Sequence, residues 1–516
     1  MSELPKGWAE TTLDEIQQDF SQGINPASYP DEEFELFSVP SYPNGVAEVV
    51  RGRDIGSNKQ TVIPNAVLLC KINPRINRVW VVDRKTDLRS IASTEWIPFW
   101  PVHGINPNYL AYYLRQNHVR DFLAQNASGV GGSLMRIKPS TFARFRFVLA
   151  PREEQTRIVA EIEKQFTRLD AATAALKRVQ ANLKRYRASV LKAACEGQLV
   201  PTEAALARKE GRDFEPASEL LKRILRERRA RWEADTLAKM IASGKPPKDD
   251  RWKLKYIEPA TPDISNLPEL PEGWCWALFD QLIVSGPQNG LYKPATAYGS
   301  GCPIVRIDDY QNDFHRSSSD LRRLRLSDEE RKLYQLGADD VLVNRVNSPS
   351  HLGKSIAAPA EWSGAVFESN MMRLRVATSV SVSWLMVYLH SNEGRTRLTS
   401  NAKWAVNQAS INQEDVKATP IPLPPEMEEA RIAESFANVL TEVQRTMDSV
   451  AAGLVRSGRL KQSVLNSAFS GRLAPQDSRD EPAVALLERI RAERAGQVSR
   501  HIRPKRVAVG HGMEVI

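Results

Sequence analysis

Residues 152–195 read REEQTRIVAEIEKQFTRLDAATAALKRVQANLKRYRASVLKAAC, and this stretch decides the architecture. Ile162, Leu169, Leu176, Leu183 and Val190 recur every seventh residue, interleaved with Ile158, Ala172, Val179, Tyr186 and Ala193. That spacing predicts an a/d seam. With no proline or glycine inside, it also predicts one continuous helix about 60 Å long, at about 1.5 Å per residue. The other faces carry Arg157, Glu161, Lys164, Arg168, Lys177 and Lys184, which stay in water, so the narrow apolar stripe requires a partner helix of similar length.

The partner lies in the same chain. An offset of 274 residues leads to Ile432, Phe436, Val439, Val443, Val450, Leu460 and Val464, a second series weakened only around Gly453, Ser457 and Gly458. The exits match too: Ser189, Leu191, Ala194, Gly197 and Pro201 fall on Ser463, Leu465, Ala468, Gly471 and Pro475. One long helix and its copy can close an antiparallel pair.

A chain of 516 residues is too long for one core and implies several domains. The four cysteines, Cys70, Cys195, Cys275 and Cys302, lack metal-ligand or disulfide spacing and read as buried free thiols in a reducing compartment. The opening MSELPKGW does not read as a signal peptide and no apolar run is long enough for a membrane span, so a cytoplasmic protein is expected. The formal net charge of +9 is concentrated: Lys177 to Trp232 carries 15 basic and 7 acidic side chains. Residues 1–150 carry 16 against 15, and residues 263–423 carry 16 against 18. Near-neutral flanking regions must meet any nucleic acid through small patches, with help from a partner.

Leu4-Pro5-Lys6-Gly7-Trp8 returns as Leu270-Pro271-Glu272-Gly273-Trp274, so each copy is expected to start a folding unit. Short β-branched and aromatic runs follow, bounded by Asn, Pro and Gly, as expected of strands. Asn65 to Asn73 and Asp339 to Asn347 each place a turn before an apolar strand that ends in a basic residue and an asparagine. Arg or Lys can donate to guanine O6 and N7, and Asn can bridge adenine N6 and N7. A core strand with a solvated end fits the same pattern equally well. Asn106-Pro107 caps a helix through Tyr109 and Leu114, with a counterpart at Ser383 to Leu389. The loop Ser128-Gly129-Val130-Gly131-Gly132-Ser133 reads as a hairpin loop rather than a phosphate cradle, since the second copy lacks its glycines. Glu215-Pro216-Ala217 and Glu481-Pro482-Ala483 each start a shorter helix, Ser243 to Leu267 reads as a linker without a core, and the tail with Arg503, Lys505 and Arg506 as disordered.

No catalytic constellation emerges. Gly244-Lys245 lacks the upstream glycine of a P-loop, and no H-E-x-x-H occurs. Asn106-Pro107-Asn108-Tyr109 approaches the Asn-Pro-Pro-Tyr signature of amino-methyltransferases without its second proline.

The order of parts resembles the specificity subunit of type I restriction-modification enzymes over essentially the whole chain. The residues that carry the likeness are Leu-Pro-x-Gly-Trp, a strand-rich variable region, Pro151-Arg152-Glu153-Glu154-Gln155 opening a long helix, the Ser189 to Pro201 exit and Glu-Pro-Ala-x-x-Leu-Leu, all repeated. The second copy departs from the pattern with Glu428-Glu429-Ala430 where Glu-Gln is usual. The resemblance implies an α/β (α+β) fold: target-recognition domains at 1–150 and 263–423, long helices at 151–200 and 424–475 packed as an antiparallel coiled coil, a short helix and linker at 201–262, and a short helix and tail at 476–516. It implies double-stranded DNA as ligand, two methyltransferase subunits that bring S-adenosylmethionine, and restriction subunits that use ATP and Mg2+. No cofactor, metal or catalytic residue is then expected on this chain. Lys71, Asn73, Arg75, Asn77 and Arg78 are candidates for reading one half-site, and Asn344, Arg345, Asn347 and Lys354 for the other. Two rival readings are a methyltransferase with its own recognition regions and a coiled-coil adaptor that binds proteins only.

Overall fold

The computed structural model of the chain describes residues 4–18, 22–83, 85–101, 104–129, 135–311, 314–406 and 408–501. The loop glycines at 131 and 132 and the basic tail at 503–506 lie outside the described residues. The chain divides into two compact units, residues 1–177 with 451–516 and residues 178–450. Each draws on both halves of the sequence, because the division falls inside each long helix, Arg152–Cys195 and Glu426–Ala468.

In the first unit, Ala9–Thr12 pairs antiparallel with Arg146–Leu149, so the two ends of the module meet just ahead of the long helix. Between them lie a five-stranded sheet and a four-stranded sheet ordered Gln17–Gln18, Trp96–Pro101, Val67–Cys70, Val79–Val81. Val67–Cys70 is apolar at every position because both its faces are covered. Val67 and Leu69 join the core of Trp8, Tyr109 and Phe147, while Leu68 and Cys70 join Phe37, Trp80 and Trp96.

The second unit repeats the scheme. Cys275–Leu278 pairs antiparallel with Pro420–Leu423, and Val341–Asn344 sits inside a four-stranded sheet between Met371–Val376 and Ser355–Ala357. Val341 and Val343 face the core of Trp274 and Trp384, and Leu342 faces Tyr310, Trp362 and Phe367. The linker expected to lack a core docks Trp252 against Trp232, with ring centroids 6.0 Å apart. Aromatic area recovered there outweighs the prolines around it.

The helix pairing is antiparallel within the first unit: Asp170 meets Lys461, Thr173 meets Ser457, and Leu176 meets Gly453. Ile158 and Ile162 are buried, and Leu169 and Leu176 half-buried. In the second unit Val190, Ile432, Phe436, Val443 and Val450 are buried, and Leu183 and Val439 half-buried. Val464, in the first unit, is half-buried.

One row of the expected seam is corrected. Val179 is 39 % exposed and Tyr186 51 %, and Ala172 is exposed as well. The less exposed row runs instead through Phe166, Thr173, Gln180 and Arg187, all half-buried and one residue further along. Both rows lie three or four residues from the leucines, so spacing alone does not choose between them. The partner chooses: Ser457 offers a hydroxyl 2.8 Å from that of Thr173, and Gly453 leaves room for Leu176. Leu460, in the apolar series, is correspondingly 43 % exposed.

Each Leu-Pro-x-Gly-Trp motif fastens its module in the same way. Trp8 donates to Glu154 and Trp274 to Glu428, both at 3.0 Å. The Gly7 carbonyl accepts from the Ala483 amide and that of Gly273 from Ala217, both at 2.8 Å. Gly471, in the left-handed region at φ +67°, presses on Pro5, where an added Cβ would come within 2.6 Å of the ring. Gly197, at φ +66°, presses on Pro271, with the corresponding distance 2.5 Å. Each helix exit needs glycine for both its handedness and its closeness. The opening motif of one copy thus packs on the helix exit of the other.

Candidate nucleic-acid interface

Strand Val67–Cys70 leads into a tight turn in which Asn73 (φ 48°) and Asn77 (φ 49°) flank Pro74–Ile76 in left-handed conformations. Asparagine tolerates this geometry better than most side chains. The turn is tied to the module's helices because the Asn77 amide donates to the Leu114 carbonyl at 2.9 Å. Arg75 stands exposed at the tip beside the exposed Ile76. Arg75 and Asn77 open onto a cleft of about 720 Å³ that also takes in Arg115, Asn117, Arg120 and Lys461. Lys71, Asn73 and Arg78 do not line it. The Lys71 main chain is spent on Glu95 and Ile137, and the Arg78 guanidinium lies 4.0 Å from the Cys70 sulfur.

In the second module two candidates are withdrawn. Asn344 is fully buried, and its carbonyl oxygen accepts from the Tyr310 hydroxyl at 2.5 Å. Lys354 is also buried: its ammonium donates to the Ile307 carbonyl at 3.3 Å and lies 4.5 Å from the Tyr310 ring centroid. Burial lowers the pKa of that ammonium. Both residues hold the core together: Asn344 ends a strand in the middle of the sheet, Lys354 precedes the edge strand Ser355–Ala357, and Tyr310 meets both. Asn347 is half-buried and accepts from the Ser348 amide at 2.8 Å. Arg345 is half-buried, its main chain bonded to Asn370 and Ile411 and its guanidinium donating to the Ser369 carbonyl at 3.1 Å. Ser369 and Asn370 wall a cleft of about 490 Å³ with Tyr292, Lys293, Arg306 and Arg322. Tyr292 is 80 % exposed, an aromatic face offered to solvent.

The residues missed from sequence are Arg115, Arg120 and Lys461 in the first cleft and Tyr292, Arg306 and Arg322 in the second. They come from separate helices, strands and loops, and no local motif marks them. A count of arginines on the exposed face of the helix after Asn117 could have raised Arg120.

Asn106 does cap its helix, accepting from the amides of Asn108 and Tyr109. Tyr109 is fully buried with its hydroxyl on the Val148 carbonyl at 2.9 Å, so the Asn-Pro-x-Tyr stretch cannot hold a flipped base. Among the described residues, no helix is long and apolar enough to cross a membrane.

No protein-family model matches the sequence. The chain is 26 % identical over 405 residues to the type I restriction enzyme StySPI specificity subunit of Salmonella potsdam, covering 77 % of this chain and 73 % of that one. It is 23 % identical over 405 residues to the EcoKI specificity subunit of Escherichia coli K12, with the same shares covered. A chain solved in work on complex assembly and conformational transition of the type I R-M system superposes with a TM-score of 0.59 and 19 % identity, covering 92 % of this chain and all of that one. The shared fold is that of two strand-rich modules joined to a pair of long helices. Within that class, the chain is similar in sequence to the specificity subunits of type I restriction enzymes.

Proposed function

We propose that this subunit selects the DNA of its complex by reading a bipartite double-stranded target, one half-site per module, with the antiparallel helix pair setting the gap between them. In this reading two methyltransferase subunits carry S-adenosylmethionine and modify adenine, restriction subunits use ATP and Mg2+, and the present chain contributes recognition alone, in the cytoplasm. The observation that carries the reading is the doubled fastening, Trp8 on Glu154 and Trp274 on Glu428, each at 3.0 Å. Two modules held alike, each on its own long helix, suit the two opposed strand directions of B-DNA. Their clefts differ, with Arg75 and Asn77 in one and Tyr292 and Arg322 in the other, so the half-sites should differ as well.

Methylome sequencing of a host expressing the chain with its methyltransferase partner should return two unlike half-sites and a fixed gap. Inserting four residues after Ala175, about one helical turn, should change the gap and leave both half-sites intact. A gap that stays constant would refute the measuring role of the helices, and a single contiguous target would refute the two-module reading.

A further inference from the structure

We propose that the first unit carries a phosphate seat along its second long helix, so that this helix, as well as the recognition module, holds the DNA backbone. The inference rests on the DNA reading above and adds a site to it. The cleft beneath Arg75 continues into a hollow of about 580 Å³ lined by Arg459, Ser463 and Asn466, and the two share Asn117, Arg120 and Gln462. Together they form one channel on the surface of a single unit.

The channel's charge is one-sided. Arg75, Arg115, Arg120, Arg459 and Lys461 face it against Glu163 and Asp170. Lys461 is spent on Asp170 at 2.5 Å, and Arg115 donates to the Val79 carbonyl at 2.9 Å. Arg120 has only its neighbour Asp121 at 3.3 Å, an exposed pair of little worth in salt. Among the described residues Arg75 and Arg459 have no ion-pair partner. Three guanidinium groups can therefore turn to an outside anion, and amide and hydroxyl side chains stand between them. An open, polar channel of this kind suits a run of phosphates better than an apolar small molecule, which favours an enclosed apolar pocket.

The seat is held in place beforehand. Gln462 accepts from the Asn117 amide at 3.1 Å and donates to the Arg115 carbonyl at 3.3 Å, locking the module's helix junction onto the long helix. The matching hollow of the second unit, at positions 437, 440, 441, 444 and 187, mixes Leu183, Phe314, Leu440, Val443 and Met447 with Lys184, Arg187, Arg445 and Asp448.

The test uses the full chain, a fluorescent random-sequence duplex, and affinity measured between about 50 and 200 mM salt. Arg120→Gln with Arg459→Gln should reduce the slope of log affinity against log salt by about 1.8, roughly 0.9 for each phosphate no longer neutralised. Affinity should fall alike on every sequence, with an unchanged thermal melt. Lys164→Gln, a cation on the first long helix outside the channel, should leave the slope as it was. An unchanged slope in the double variant overturns the seat while leaving the DNA reading intact, and so does loss of methyltransferase binding with the slope unchanged. If the unaltered chain binds no duplex with or without its methyltransferase partner, both readings fall.

Discussion

The two modules are fastened alike and differ in what they present. Each puts a tryptophan on the second glutamate of a long helix and a glycine carbonyl on the start of a shorter one. Above that common base the first module offers a left-handed asparagine turn with Arg75, and the second an exposed tyrosine beside arginines. Attachment is therefore under one set of constraints and recognition under another.

The fastening should give the largest response. Trp274→Ala removes a buried indole and leaves Glu428, whose carboxyl burial already pushes up in pKa, without its donor. A loss of about 3–5 kcal/mol is expected in the second unit alone, read by urea unfolding followed by hydrogen exchange of each unit. Trp8→Ala should do the same to the first unit, and exchange that rises equally in both units for either variant would break the correspondence.

One fastening position separates the units by pH. Gln155 accepts from the Asn106 amide at 2.8 Å and donates to the Ala150 carbonyl at 2.9 Å. Its counterpart Glu429 accepts from the Ser381 amide at 2.6 Å, and its other oxygen is buried without a partner. Burial, with nearby Glu426 adding to it, pushes this carboxyl up to about 8. The folded state then keeps a proton that the unfolded chain releases near its ordinary carboxyl range. Stability of the second unit falls as pH rises from about 4.5 to about 8 and levels off above. Glu429→Gln should abolish that fall, gaining on the order of 2–4 kcal/mol above the window and nothing below it. Gln155→Glu should install the fall in the first unit. Denaturation midpoints across pH check both, and parallel curves for Glu429→Gln and the unaltered chain would sink the account.

Smaller effects refine the reading surface and the seam. Arg345→Ala should relax preference at one base pair by about 1–3 kcal/mol if it reads a guanine, measured by methylation of variant targets, and uniform weakening would assign it to phosphate. Val179→Ser, on the exposed row, should stay within about 0.5 kcal/mol of neutral in thermal melts. Leu176→Ala, facing Gly453, should cost about 1–2 kcal/mol. Equal costs would restore the row through Val179.

Much of this was legible beforehand. The period of the apolar residues announced the long helices, and glycine and proline stops at matching positions announced that the helix exits correspond, because main-chain geometry allows few other residues there; the fastening of tryptophan on glutamate was not legible. Asn344 and Lys354 misled because neither the end of a strand nor the turn ahead of the next one shows in sequence whether another side chain covers it. Tyr310, distant in sequence, closes over both.

The sequence by itself determined the elements, their order and the internal correspondence, since these follow from local periodicity and turn chemistry. Only the tertiary structure decided which helix row is buried, which cations share a channel, and that each unit takes its helix exit from the other copy. Those facts depend on which surfaces meet across hundreds of residues, and no local rule of spacing records that meeting.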